Sequence, residues 1–290
     1  MKRFSLTLPF LILLISCDKP QREVVVEKWD DGTPSKVNFV VGEGLKQEIV
    51  GRMTFYENGV IQTKEEYREN KNNGLYIRYY ENGQKKWEGT YKDGEKDGKW
   101  TKWNDYGVKD VEETYKNGKK DGKWTSWYEN GQKEREGTYK DNVEDGKWTS
   151  WYEKGQKQSE GNLKDRKLYG KVNHWYEDGK KKLEIDYDNE GKGLEWYQSG
   201  KKRSEGWYIS KGINDRYGKY ISWYENGQKN VELTYNDYGR LDGKWTSWYE
   251  NGQKKREGIF KDHSRVGKWT DFNENGTVKE VRDCDKVECE

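Results

Sequence analysis

The sequence predicts an all-β protein, an elongated single-layer antiparallel array of about ten β-hairpins. Three observations carry this. The stretch Gly122-Lys123-Trp124-Thr125-Ser126-Trp127-Tyr128-Glu129-Asn130-Gly131-Gln132-Lys133 returns almost letter for letter at 146–157 and 243–254. Looser copies open at Gly51, Gly74, Gly98, Gly170, Gly193, Gly218 and Gly267, mostly 24 residues apart. A period of that size marks units that bury their apolar faces only against one another. Second, Asn130-Gly131 is a strong short-range hairpin signal, because a type I′ turn needs positive φ at both central residues. Third, the flanks are rich in Trp, Tyr and Thr, which suit a pleated surface.

Composition fits an array better than a globule. Only 30% of residues are hydrophobic and 37% are charged, a balance that leans toward disorder. Against this stand 15 Trp and 22 Tyr, whose spacing assigns them to the repeats. Many small aromatic contacts, rather than one large central core, should hold such a chain.

Taken in order, residues 1–16 read as a targeting segment. Lys2 and Arg3 precede an apolar stretch from Phe4 to Ile15 that is too short to cross a bilayer as a stable helix. It ends in Leu14-Ile15-Ser16-Cys17, which resembles the lipobox of bacterial lipoproteins. The resemblance implies that Cys17 becomes the acylated first residue of the mature chain. The chain would then be lipid-anchored at the bacterial cell envelope, on the periplasmic or cell-surface side. An ordinary signal peptide with an incidental Cys17 is the alternative. Losing residues 1–16 leaves 53 basic residues against 53 acids. A formally neutral chain lacks the basic footprint of a nucleic-acid binder.

Residues 17–28 read as a polar tether containing Pro20, and residues 29–50 as a cap over the first repeat. Within the cap, Trp29-Asp30-Asp31-Gly32 looks like a degenerate turn and Val37 to Val41 like a strand. Terminal repeats need such cover because their outer edge is otherwise unpaired. Residues 51–282 are the array. Its rhythm breaks once, where Gly193 to Gly200 is two residues short and a longer loop at 211–218 compensates, which predicts a kink or altered curvature, with a special site as the alternative. In the tail, 283–290, Cys284 and Cys289 form an even pair, expected as a disulfide in an oxidising compartment. Two free thiols are the alternative.

With Asn130 and Gly131 as the loop, Glu129 stands opposite Gln132 and the register follows. One face carries Trp124, Ser126 and Tyr128 with Lys133, Arg135, Gly137 and Tyr139. Trp124 then lies across from Gly137 and Tyr139 across from Gly122, so that each ring covers a glycine. The other face carries Thr125, Trp127 and Glu129 with Gln132, Glu134, Glu136 and Thr138. It is polar except for one ring per repeat, at Phe55, Tyr79, Trp103, Trp127, Trp151, Trp175, Trp196, Trp223, Trp248 and Phe272. By the same parity Lys85, Lys133, Lys157, Lys181, Lys229 and Lys254 project on the first face. Glu88, Glu136, Glu160, Glu184, Glu232 and Glu257 share the face of the rings. Two readings stand for the ladder from Tyr79 to Trp248. Either it packs under charged stems as a thin second core, or it binds a periodic ligand, a polysaccharide or an extended peptide.

Catalytic and cofactor chemistry is not written in the residues. His174 and His263 stand alone in different repeats without a ligand at metal spacing. Asp186, Asp188, Glu190 and Gly191 imitate half of a calcium loop, but Tyr197 occupies the place of its bidentate glutamate. There is no nucleophile–histidine pair and no phosphate-binding glycine loop. We expect no enzyme, no metal and no cofactor.

The copy Gly-Lys-Trp-x-x-Trp-Tyr-Glu-Asn-Gly, followed by Glu136-Gly137-Thr138-Tyr139, resembles the bacterial variant of the MORN repeat over about four-fifths of the chain. Proteins of this kind are often labelled antitoxin components of the YwqK family, which implies a toxin as protein partner. The expectation is a membrane-anchored, non-enzymatic repeat scaffold mediating protein–protein interaction at the envelope. An antitoxin and a carbohydrate- or wall-binding module are the two alternatives.

Overall fold

The computed structural model describes residues 21–208 and 216–286. The chain divides into two units, residues 1–108 with 114–119, and residues 109–113 with 120–290. In the first, β1 (Arg22–Lys28), β2 (Pro34–Val41), β3 (Glu48–Phe55), β4 (Ile61–Arg68), β5 (Lys71–Tyr79), β6 (Lys85–Lys92) and β7 (Glu95–Trp103) each pair antiparallel with the next. The strand β8 (Lys109–Lys116) lies at the division. Then come β9 (Lys119–Trp127), β10 (Lys133–Lys140), β11 (Val143–Trp151), β12 (Lys157–Lys164), β13 (Lys167–Trp175) and β14 (Lys181–Asp186). They are followed by β15 (Lys192–Trp196), β16 (Lys202–Tyr208), β17 (Arg216–Trp223), β18 (Lys229–Tyr235), β19 (Gly243–Trp248), β20 (Lys254–Lys261), β21 (Ser264–Phe272) and β22 (Val278–Asp283). From β9 onward each strand again pairs antiparallel with its successor. Apart from one 3₁₀ turn at Gly44–Lys46, the described residues are all-β hairpins, as the periodicity predicts.

The cap is larger than expected. Residues 22–28 form β1, paired with β2, where a tether was anticipated. Trp29 and Thr33 close the expected turn, with Gly32 N–H donating to Trp29 O at 2.8 Å. The Tyr-Glu-Asn-Gly loops correct a second expectation. Tyr128 N–H donates to Gln132 O and Gly131 N–H to Tyr128 O, both at 2.9 Å. Gly131 has φ +80° while Asn130 is not among the positive-φ residues, so the loop has three residues with its glycine in the left-handed region. Asn130 uses its side chain instead, Oδ1 accepting from Gln132 N–H at 2.9 Å. True two-residue I′ turns exist, but at the opposite ends of the strands. Asp141 (φ 48°) and Asn142 (φ 68°) link Lys140 to its partner Val143 in this way, and Asp165-Arg166 and Asp262-His263 do likewise.

The longer loop shifts the register by one, and a β-bulge shifts it back. Trp127 pairs with Lys133, Glu134 is skipped, and Ser126 pairs with Arg135. Beyond the bulge Trp124 faces Gly137 and Tyr139 faces Gly122, as expected. Between loop and bulge the facing is exchanged. Lys133 and its equivalents stand on the face of the ring ladder, not on the first face. Glu134 goes the other way, its Oε2 accepting from Ser126 Oγ at 2.9 Å.

The first face holds the core. The ring that covers Gly137 belongs to the next hairpin. A Cβ added at Gly137 would overlap Trp148, and Gly89 and Gly258 have the same relation to Trp100 and Trp269. These three indoles are 1%, 5% and 6% exposed for Trp100, Trp148 and Trp269. Where Glu113 or Leu233 replaces the glycine, Trp124 and Trp245 are only half-buried. Neighbouring rings meet at 5.7 Å for Trp124–Trp148 and 5.3 Å, edge-on, for Tyr139–Trp148. Arg135 lies 4.2 Å above Trp148 and Lys96 4.1 Å above Trp100, closing the core toward water. Around the short repeat a different cluster takes over, built from Leu183, Ile185 and Tyr208. Burial, then the Glu195 charge, push the Tyr208 hydroxyl well above the ordinary tyrosine range. That hydroxyl donates to Glu195 Oε1 at 2.8 Å, which also receives Arg216 at 3.0 Å. Most of the compensating loop at 211–218 lies outside the described residues.

Candidate functional site

The second face repeats one group of side chains per hairpin, and the bulge creates it. Each ring lies beneath a lysine from the hairpin before. Lys Nζ stands 5.3 Å from the Trp127 ring centroid (Lys109), 5.6 Å from Trp151 (Lys133) and 5.8 Å from Trp175 (Lys157). Trp196 carries Lys181 at 5.8 Å, Trp223 carries Lys202 at 4.7 Å and Trp248 carries Lys229 at 5.4 Å. In the first unit Trp103 lies under Lys85 and Tyr79 under Lys64, both at 5.9 Å. All eight rings are half-buried.

All of these lysines except Lys64 pair with the glutamate three residues on, at 2.7 Å for Lys133–Glu136, 2.6 Å for Lys157–Glu160 and 2.7 Å for Lys229–Glu232. A second lysine from the neighbouring strand reaches each carboxylate: Lys123–Glu136 at 3.0 Å, Lys147–Glu160 at 3.1 Å and Lys219–Glu232 at 2.6 Å. Hydrogen bonds from Lys219 and Lys229 hold the Glu232 carboxyl below the usual range. At Glu136 and Glu160 burial is the largest influence and works upward, but the two lysines together outweigh it and the net shift is down. The result is a strip of ring, ammonium and carboxylate that recurs at the same register from Trp127 to Trp248.

A second ladder, along the Tyr-Glu-Asn-Gly edge, was not foreseen. Tyr128 Oη donates to Trp151 O at 2.7 Å, Tyr152 to Trp175 O at 2.8 Å and Tyr176 to Trp196 O at 2.8 Å. Asn130 Nδ2 donates to Glu153 O at 2.8 Å. Each loop thus grips the backbone of the next, which fixes the spacing of the rings above. The signal was present in the recurrence of Tyr and Asn at fixed places, but hairpin logic alone assigned them to their own turn.

The remaining predicted positions separate. Cys17 and Cys289 lie outside the described residues. Cys284 is disulfide-bonded, and its N–H donates to Gly267 O at 2.9 Å, over the last hairpin. Burial, then the Lys182 charge, lower the His174 pKa. His263 Nδ1 accepts from Leu241 N–H at 3.2 Å. Asp188, from the calcium-like stretch, accepts from Gly170 N–H at 3.0 Å. Among the described residues no three His, Cys, Asp or Glu side chains are grouped to hold a metal ion.

Comparison with known proteins bears on these repeats. No curated protein matches the chain. Among solved structures, the TcdB2-TccC3-Cdc42 and TcdB2-TccC3 crystal structures are each 8% identical, with a TM-score of 0.17, over 89% of this chain. The Tc holotoxin pore of Photorhabdus luminescens gives the same figures. This chain spans 16% of the length of those chains, and a likeness so slight carries no argument about function. The MORN repeat variant matches residues 52–69, 72–93, 120–141, 144–165, 168–189, 216–237 and 241–262, seven of the copies read from the sequence. With more than half of its residues inside these copies, the chain belongs to the MORN repeat variant family.

Proposed function

We propose that the chain is a non-enzymatic repeat scaffold, lipid-anchored through Cys17 at a bacterial cell envelope, that holds a protein partner along the strip from Trp127 to Trp248. Repeats of this family suit a scaffold because each adds the same contact at a fixed spacing. The observation that carries the reading is the group itself, a half-buried indole with a lysine above it and a glutamate beside that lysine. Tryptophan in such a setting is the residue type on which protein interfaces concentrate their energy. An extended polypeptide, with side chains alternating along its length, answers rings and charges together. A saccharide stacks on a bare ring, and here an ammonium already stands over each indole. This favours a protein over a polysaccharide.

The test is capture from the chain's own cells with the full-length lipidated protein and with the Trp127→Ala/Trp151→Ala/Trp175→Ala variant. Loss of a specific partner in the variant supports the reading, and equal recovery sinks it. Recovery of the product of an adjacent toxin gene would identify the scaffold as an antitoxin. Glycan-array binding that the same variant loses would replace the protein reading with the carbohydrate one.

A further inference from the structure

Between β12 and β14 the ring ladder of the first face is interrupted by aliphatic side chains. Trp124, Trp148, Tyr220, Trp245 and Trp269 hold the same place in their repeats, and Val172 holds it between β12 and β14. The companion position, occupied by Tyr139, Tyr235 and Phe260 elsewhere, is Leu163. Gly161 lies below, as Gly137 does below Trp148, but its nearest neighbours are the side-chain carbons of Val172 in place of a ring. Two aliphatic side chains therefore stand where the repeat is shaped for two rings. Beside them is a cavity of about 190 Å³, lined by Trp148, Leu163 and Val172 with Arg135, Ser159 and His174 among its polar walls.

We propose that this cavity is a binding site for one planar aromatic ring of phenol to indole size. An engineered apolar cavity of about 150 Å³ accepts benzene, so the volume suffices. The repeat supplies the geometry. By the repeat, a ring placed here meets Trp148 as Trp148 meets Trp124, at a centroid separation near the 5.7 Å and tilt near the 40° of that pair. Trp245 and Trp269 show the same relation at 5.6 Å and 36°. Offset rings of this kind attract beyond their area of contact. The polar wall sets a preference among rings. His174 occupies the place of Ser126 and Ser150, and burial, then the Lys182 charge, favour its neutral imidazole, which can give or accept one hydrogen bond. The Trp148 indole N–H is buried with no acceptor, whereas those of Trp100 and Trp269 donate to Thr90 O and Ile259 O. A ring with a hydroxyl or ring N–H at its edge fits such a wall better than a bare hydrocarbon. The ring has two sources, a free small molecule or an aromatic side chain of a bound polypeptide.

The probes are phenol, indole and the capped tripeptide Gly-Trp-Gly, followed by ligand-observed NMR on the full chain. We expect saturable binding of phenol or indole to the wild type. Val172→Trp places the protein's own ring in the cavity and should weaken that binding at least about tenfold while raising the melting temperature. Leu163→Tyr is the second variant, should Val172→Trp fold poorly, and the same loss is expected. Trp151→Ala, on the opposite face, should bind as wild type does, which separates this cavity from the strip proposed above. Tripeptide binding lost in the same variants points to a side chain of a partner, and binding of the free rings alone to a small molecule. No saturable binding of any probe, or equal binding by both filled variants, overturns the proposal.

Discussion

The indole of Trp148 lies over Gly137, one strand back in the sheet, and occupies the space a side chain there would need. Gly137→Val should therefore force the ring upward and cost about 1–3 kcal/mol, the range of overpacked cores. Trp124 shows the relaxed arrangement. Over Glu113 it stands half-exposed and donates its N–H to Glu113 Oε1 at 3.2 Å. The same substitution at Gly161 should cost less, because a Cβ there meets a Val172 methyl at 3.0 Å rather than an indole plane. Urea midpoints of the two variants decide it, and equal losses would contradict the packing argument.

Tyr128→Phe removes the hydroxyl that reaches Trp151 O. The loss should be about 0.5–1.5 kcal/mol, an ordinary hydrogen bond, and local to two hairpins. Amide exchange is expected to quicken around residues 128–132 and 151–153 while β20 and β21 keep their protection. Uniform quickening along the chain would mean that the loops do not act as separate rungs.

Arg166 sits at φ 63° in a two-residue turn, a conformation that costs a side chain about 1–2 kcal/mol and glycine almost nothing. Arg166→Gly should raise the stability of the hairpin formed by β12 and β13, read as a higher melting temperature. A lower one would show that the arginine side chain makes a contact worth more than the strain.

The hairpins, their number of residues and the pairing of Trp124 with Gly137 were legible because period, turn residues and ring spacing agree. The loop type was not. Asn130-Gly131 suits a two-residue turn, yet the Asn130 side chain closes a three-residue loop, and the bulge at Glu134 hides the difference from everything beyond it. The facing changes only from the loop to Glu134, and that exchange brings the lysines over the rings. Nor can one hairpin's sequence announce that its tyrosine serves the next, since the Tyr128 contact to Trp151 O spans 23 residues. Val172 and Leu163, by contrast, are visible as departures once the repeats are aligned.

If Leu14-Ile15-Ser16-Cys17 directs lipidation, Cys17→Ser should leave the protein unprocessed or release it from the membrane fraction. Fatty-acid labelling of wild type and variant tests it, and identical labelling with identical fractionation would remove the anchor from the proposed function.

Acid should act through the glutamates of the second face. Hydrogen bonds from Lys219 and Lys229 lower the Glu232 pKa, and that from Lys181 lowers the pKa of Glu184 although burial opposes it. A carboxyl depressed in the folded state binds fewer protons than in the unfolded chain, so stability rises with pH across the interval between the two values. The contribution is complete above the ordinary glutamate pKa of about 4.3 and is lost as pH falls through the folded values. Melting temperatures measured at low salt from about pH 5 to pH 3 should fall for the wild type. For Glu184→Gln/Glu232→Gln the fall over that interval should be smaller, starting from a lower value at pH 5. The partner lysines are well exposed, at 40–61% for Lys171, Lys181, Lys219 and Lys229, so the difference should shrink as salt screens the pairs. Parallel curves for the two proteins would show that these carboxylates are only surface charge, and that the lysines are held over the rings by packing alone.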